Sequence, residues 1–314
     1  MAAHNRPLLS LIVGAALAVL SATGCLSTSP RVVKIGLVAP FEGRYREIGD
    51  QVIAAARDAV REYAIRYPNN GRVIELVAYD DRGTASLAVD QARKLVADPD
   101  VAVVIGHWRD ETTQAALPVY QKAGKAVIVY SPADLSTGGS VENLSPALED
   151  LQTLAESWAQ NNDAKVMVDS GDDALASAEQ LTAEPPSSKL VGSPVWGLSQ
   201  FHALAPTGGP NLYFVTGAAY PADLSDQDWP AARVKSFVTG YEVDSLGAPP
   251  GLLSVSAYEA TWLAIERIAR DDSAPSPISD FTDITFGPDG RRSQAPIYLY
   301  EWQGQAARLV SRLR

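Results

Sequence analysis

Residues 32–39 read Val32-Val33-Lys34-Ile35-Gly36-Leu37-Val38-Ala39. The run is short, mostly apolar and β-branched, which predicts a strand buried on both faces. Three runs of the same kind follow, VIELVAY at 73–79, VAVVI at 101–105 and AVIVY at 126–130. Helical spacing separates them. From Asp50 onward, Val52, Ala56, Val60, Tyr63 and Tyr67 recur every three or four positions, with Arg57, Asp58, Arg61 and Glu62 between them. That is the pattern of an amphipathic helix, and Pro68-Asn69-Asn70-Gly71 ends it. Thr84 or Ser86 caps a second helix that runs through Ala97. A third helix spans 112–123 with Pro118 inside it. Strands alternating with helices over 32–130 predict an α/β fold, a parallel sheet covered on both faces. Right-handed crossovers make it doubly wound.

Past residue 139 the pattern loosens. Leu148, Leu151, Leu154 and Trp158 share one side of a helix over 146–161. A strand follows at 164–169, and Asp172 or Asp173 caps a helix that reaches Thr182. Residues 189–196 and 212–216 read as strands, and 231–241 and 254–269 as helices. Residues 273–277 (SAPSP) read as a linker. Residues 282–290 and 294–302 read as a hairpin turning at Pro288-Asp289-Gly290.

The amino terminus addresses the compartment. Arg6 precedes an apolar run over 8–20, which ends in Ser21-Ala22-Thr23-Gly24-Cys25. The run is well short of the roughly 20 residues that span a bilayer, so 1–24 reads as a removable secretory signal. Small residues before a cysteine resemble the bacterial lipobox. That resemblance implies cleavage before Cys25, a diacylglycerol on its thiol, a membrane anchor, and a tether over 25–31. The other reading is an ordinary signal peptide with a cysteine there by chance. Cys25 is the one cysteine of 314 residues, which excludes an intramolecular disulfide framework. The net charge of −11 argues against nucleic acid as a partner.

After the signal, only His107 and His202 remain of three histidines. HExxH, GxSxG and phosphate-loop motifs are absent, and Gly36 with Gly43 makes no dinucleotide fingerprint. No catalytic residue, cofactor or metal site is therefore expected. Asp80-Asp81 looks like a pair of metal ligands in isolation; turn chemistry at a strand end is the alternative.

The order and spacing of several segments resemble type I periplasmic binding proteins. Those segments are Val33-Lys34-Ile35-Gly36-Leu37-Val38-Ala39-Pro40, Tyr79-Asp80-Asp81, Ala92-Arg93-Lys94-Leu95-Val96, Val104-Ile105-Gly106-His107, Thr112-Thr113-Gln114-Ala115-Ala116 and Ser131-Pro132-Ala133. Looser matches are Ser256-Ala257-Tyr258-Glu259-Ala260 and Phe286-Gly287-Pro288-Asp289-Gly290. The resemblance is to receptors for branched-chain amino acids and related amides in ATP-driven uptake. It implies two lobes closing on a small-molecule ligand, with the chain crossing between them three times. Lobe one would comprise 32–139 and 221–277, and lobe two, reduced in size, 140–220 and 278–314. It further implies a monomer that captures an amino acid or amide for an ABC permease. A degenerate module acting in sensing or protein interaction is the alternative.

Ligands of open parallel sheets bind beyond the carboxyl ends of the strands. Those ends supply 41–48, with Tyr45, then 80–83, 107–111 and 131–135. The candidate ligand contacts are Tyr45, Trp108, Arg109, Asp110, Ser131, Ala133, Asp134 and Trp196. The resemblance implies hydroxyl side chains at the positions of Asp110 and Leu135, where this chain has an acid and an aliphatic. Arg109-Asp110 either grips a zwitterion or amide, or the acid complements a helix dipole while the arginine faces solvent. Trp108 and Trp196 are either pocket walls or packing, and Asp134 either faces the cleft or caps a helix.

Overall fold

The computed structural model describes residues 30–68, 71–135, 139–168, 172–270 and 284–314. The expected signal, Cys25 and most of the tether lie outside the described residues, as does the 273–277 linker. Among the described residues no helix is long and apolar enough to cross a membrane.

Two five-stranded sheets carry the fold. The first has the order β2 (Arg72–Asp80), β1 (Arg31–Ala39), β3 (Val101–Ile105), β4 (Ala126–Val129), β5 (Val141–Asn143). Every pairing in it is parallel. Strand geometry sends alternate residues to opposite faces. Ile35, Leu37, Val103, Ile105 and Ile128 accordingly enter one core cluster, and Val38, Val104, Val127 and Val129 another. Helices α1 (Arg46–Arg66) and α8 (Ser254–Arg270) contribute to the first cluster, and α2 (Ala85–Ala97) and α3 (Asp110–Ala123) to the second. Both faces are covered, which is why these strands are apolar throughout. Helix α7 (Ala231–Asp244) packs on α1 beside α8, so the chain returns to the first sheet late in the sequence.

The second sheet has the order β10 (Ala306–Arg312), β9 (Tyr298–Gln303), β8 (Asn211–Thr216), β7 (Lys189–Gly192), β6 (Lys165–Met167). Strands β6, β7 and β8 run parallel, and β9 and β10 add an antiparallel hairpin. Its helices are α4 (Leu148–Asn162), α5 (Ala174–Gln180) and α6 (Ser199–Leu204). The strands β6 and β7 and the helices α5 and α6 are short, so this lobe offers little regular structure around its cleft face.

Three expectations are corrected. Strand β5 belongs to the first sheet, which therefore extends past residue 139. Strand β9 pairs not with 282–290 but with β10, through a turn at Gly304 whose φ is +63°. Pro288-Asp289-Gly290 does turn the chain, with Gly290 at φ +76°, and among the described residues it closes the bridge Phe286–Arg292. Residues 194–196, read as the end of a strand, lie instead in the 3-10 turn Pro194–Gly197. That turn folds Trp196 back over Gly192, where a β-carbon would overlap the indole ring. Gly192→Ala is expected to cost about 1–3 kcal/mol through overpacking, read as a lower midpoint in chemical denaturation with an unchanged slope.

Candidate ligand cleft

The carboxyl ends of both sheets meet at one cleft of about 640 Å³, its open mouth included. The segment after β1 brings Tyr45 and Ile48. The segment after β3 brings Trp108, Arg109 and Asp110, and β4 leads into Tyr130 and Pro132. From the second sheet come Asp172 after β6, Ser193 to Val195 after β7, and Thr216 at the end of β8. Leu198, Leu252 and Leu253 complete an apolar wall. Trp108 and Tyr130 stack with ring centroids 6.0 Å apart and planes 19° apart. The mostly apolar lining with a few convergent polar groups is of the kind that holds a small organic molecule.

Arg109 is the electrostatic centre. Its side chain is only 5% exposed and lies over the Tyr45 ring, 3.8 Å from the centroid. It donates to the Gly83 carbonyl and, at 3.0 Å, to Oδ1 of Asp172. The φ of +67° at Gly83 and the nearness of Tyr45 and Arg109 leave no room there for a side chain. The other oxygen of Asp172 accepts from the backbone N–H of Asp110 at 2.7 Å. Asp172 thus ties the second lobe to the start of α3. Its neighbour Asp173 does the capping expected here, accepting from the Leu175 and Ala176 N–H groups at the start of α5.

Asp110 is buried and accepts a hydrogen bond from the Ser131 hydroxyl. Burial pushes its carboxyl up to about 6. The Ser131 hydroxyl pulls it back, the Asp172 carboxylate adds to the rise, and the Ala133 N–H and Arg109 lower it. Burial likewise raises the Tyr45 phenol, with Arg109 opposing.

Of the residues expected to contact ligand, Tyr45, Trp108, Arg109 and Asp110 line the cleft. Ser131 and Ala133 lie behind this lining and hold Asp110. Asp134 is exposed and outside the lining, since the chain turns it outward between buried Ala133 and Leu135. Trp196 is a core residue, 1% exposed and stacked on Phe201 at 4.8 Å. Asp80 accepts from the Phe41 and Arg82 N–H groups, which is turn chemistry. Asp81 accepts from Gly83 N–H and contacts His107 Nδ1 at 2.6 Å. Sequence alone does not mark Asp172 as a cleft residue, because it sits beside Asp173, an equally good helix cap. Two adjacent acids where one cap suffices are the hint it does carry.

A carboxyl with a raised folded pKa contributes stability that is fully present below its unfolded value, near 4, and lost as pH rises through about 6. Asp110→Asn keeps the shape and removes the titration. The variant's melting temperature should therefore fall less than the parent's between pH 4 and 7, as a pH series of thermal melts would show.

The sequence model of the periplasmic binding protein family matches residues 32–168. The Leu/Ile/Val-binding protein of Escherichia coli K12 is 31% identical over 101 residues, covering 32% of this chain and 27% of that protein. A leucine-, isoleucine-, valine-, threonine- and alanine-binding protein of Pseudomonas aeruginosa is 33% identical over 105 residues, covering 33% of this chain and 28% of that protein. The match thus spans little more than a quarter of these curated relatives. The fold extends further. A branched-chain amino acid transporter substrate-binding protein from Streptococcus pneumoniae, solved with isoleucine, superimposes with a TM-score of 0.67 at 16% identity, over 89% of this chain and 99% of its own. A solute-binding protein from R. palustris, solved with benzoate, gives 0.63 at 17% identity, over 90% and 96%. Residues 32–168 are thus similar in sequence to the periplasmic binding protein family, and the two-sheet, two-lobed fold is that of the solved substrate-binding proteins.

Proposed function

We propose that this protein is an extracytoplasmic receptor that captures a small solute of the amino acid or amide class between its lobes and delivers it to an ABC permease. In this reading Cys25 carries the lipid anchor, and the protein acts as a binding protein rather than as an enzyme. The observation that carries the reading is the cleft itself. Apolar walls from both lobes face each other across it, and the buried indole Nε1–H of Trp108 in its lining has no partner among the described residues. A buried donor without an acceptor is costly, and a ligand carbonyl would satisfy it. Relatives reported with leucine, isoleucine and benzoate support a small organic ligand for this fold.

A thermal-shift panel of amino acids, amides, short-chain acids, polyamines and sugars tests this. A ligand at about a hundred times its Kd adds roughly 2.7 kcal/mol, and each kcal/mol moves a protein of this size by about 2–4 °C. A hit should also compact the protein in small-angle scattering. Trp108→Phe keeps the aromatic wall and deletes the N–H, so it should weaken the best hit by about five-fold. A folded protein that answers no solute would remove the receptor function.

A further inference from the structure

We propose that Asp172 is a built-in occupant of the cleft's carboxylate position, so that the cleft selects small apolar ligands that bring a carbonyl acceptor but no carboxylate, primary amides above all. The proposal rests on reading the cleft as a solute site. Its geometry is that of a bound anion. One carboxylate oxygen takes the Asp110 N–H at 2.7 Å, at the start of a 14-residue helix, and the other takes the Arg109 guanidinium at 3.0 Å. A helix start and a guanidinium are together the two features that hold a carboxylate. In this protein they are already taken by a side chain of the opposite lobe.

An independent observation says what remains to be recognised. Trp108 and Arg109 both line the cleft, and both are more than nine-tenths buried. Trp108 Nε1 and Arg109 Nε have no hydrogen-bond partner among the described residues. With the anion position filled, the site still lacks an acceptor, and a neutral carbonyl supplies one. Charge points the same way. Arg109 faces Asp172 and, at 3.6 Å, Glu111, and it acts on buried Asp110, on which Arg291 also acts. A ligand carboxylate would add another negative charge where water is largely excluded, and would have to expel Asp172 first. An amide does neither. Asp172 is also spared the capping of α5, which Asp173 performs.

The test uses acetate as the probe, in excess and at constant ionic strength, on the purified protein and on Asp172→Ala and Asp172→Ser. Acetate should leave the parent's melting temperature unchanged and raise that of both variants by about 2–4 °C. Adding Arg109→Ala to Asp172→Ala should abolish the gain. An equal response in the parent, or none in either variant, overturns the proposal. So does failure of both variants to fold, because a side chain that only fills a ligand position is dispensable for folding. Among panel hits, amides should exceed their matched acids by about ten-fold or more in affinity, and the reverse order also overturns it. A flat panel on the parent with acetate uptake by the variants would sink the receptor function and leave Asp172 in its place.

Discussion

A guanidinium drawn out of water costs free energy unless its N–H groups find acceptors. Arg291, half-buried where the chain passes between the sheets, meets that condition with backbone alone. Its Nη1 donates to the carbonyls of Ser131, Ser145 and Pro146, and its Nη2 to that of Ala133. Asn143 bonds the same junction from within. Its amide exchanges hydrogen bonds with the Ser131 backbone, and its own backbone bonds Gly290 and Arg292. The segments that leave the first sheet and approach the second are therefore fixed to one another. The cleft inherits its shape from this junction, because Ser131 is both an anchor of it and the partner of Asp110.

Within the cleft the charges are arranged in series. Tyr45 and Gly83 fix Arg109 from the first lobe, Arg109 fixes Asp172 of the second, and Asp172 accepts from the start of α3. Burying such groups is tolerable only when each is paired. The pairing here crosses between lobes, so any motion that opens the cleft must break it or carry Asp172 out into water. Any separation of the lobes is thus coupled to the electrostatics of the cleft, and a ligand could shift such an equilibrium only through its differential affinity for the two states.

The first sheet was legible because its strands are buried on both faces and punctuated by turn residues. β3 is read to the residue, and β1, β2 and β4 to within one at each end. Strand β5, Val-Glu-Asn, is too short to carry a pattern; its place is set by Val127 to Val129 offering it an edge. The late hairpin was assigned the wrong partner because Pro288-Asp289-Gly290 is a stronger local turn signal than Gly304, whereas pairing was decided by β8 offering β9 a full antiparallel edge. Site residues on strand ends were legible, since topology alone delivers Tyr45, Trp108, Arg109 and Asp110 to the cleft. Trp196 was not, because its direction depends on a 3-10 turn that no periodicity announces.

Apolar residues of both lobes also face one another across the cleft. Ile48, Leu252 and Leu253 on one side, with Val195 and Leu198 on the other, are each largely buried. Contact between the walls therefore already takes much of the apolar surface out of water. A solute adds affinity only by filling space the two walls leave unfilled and by meeting the donors that closure leaves unmet. In the proposed reading, size and one acceptor, rather than charge, are the properties on which this arrangement discriminates. The second lobe, with its short strands and helices, contributes to that discrimination through the segments that end β6, β7 and β8.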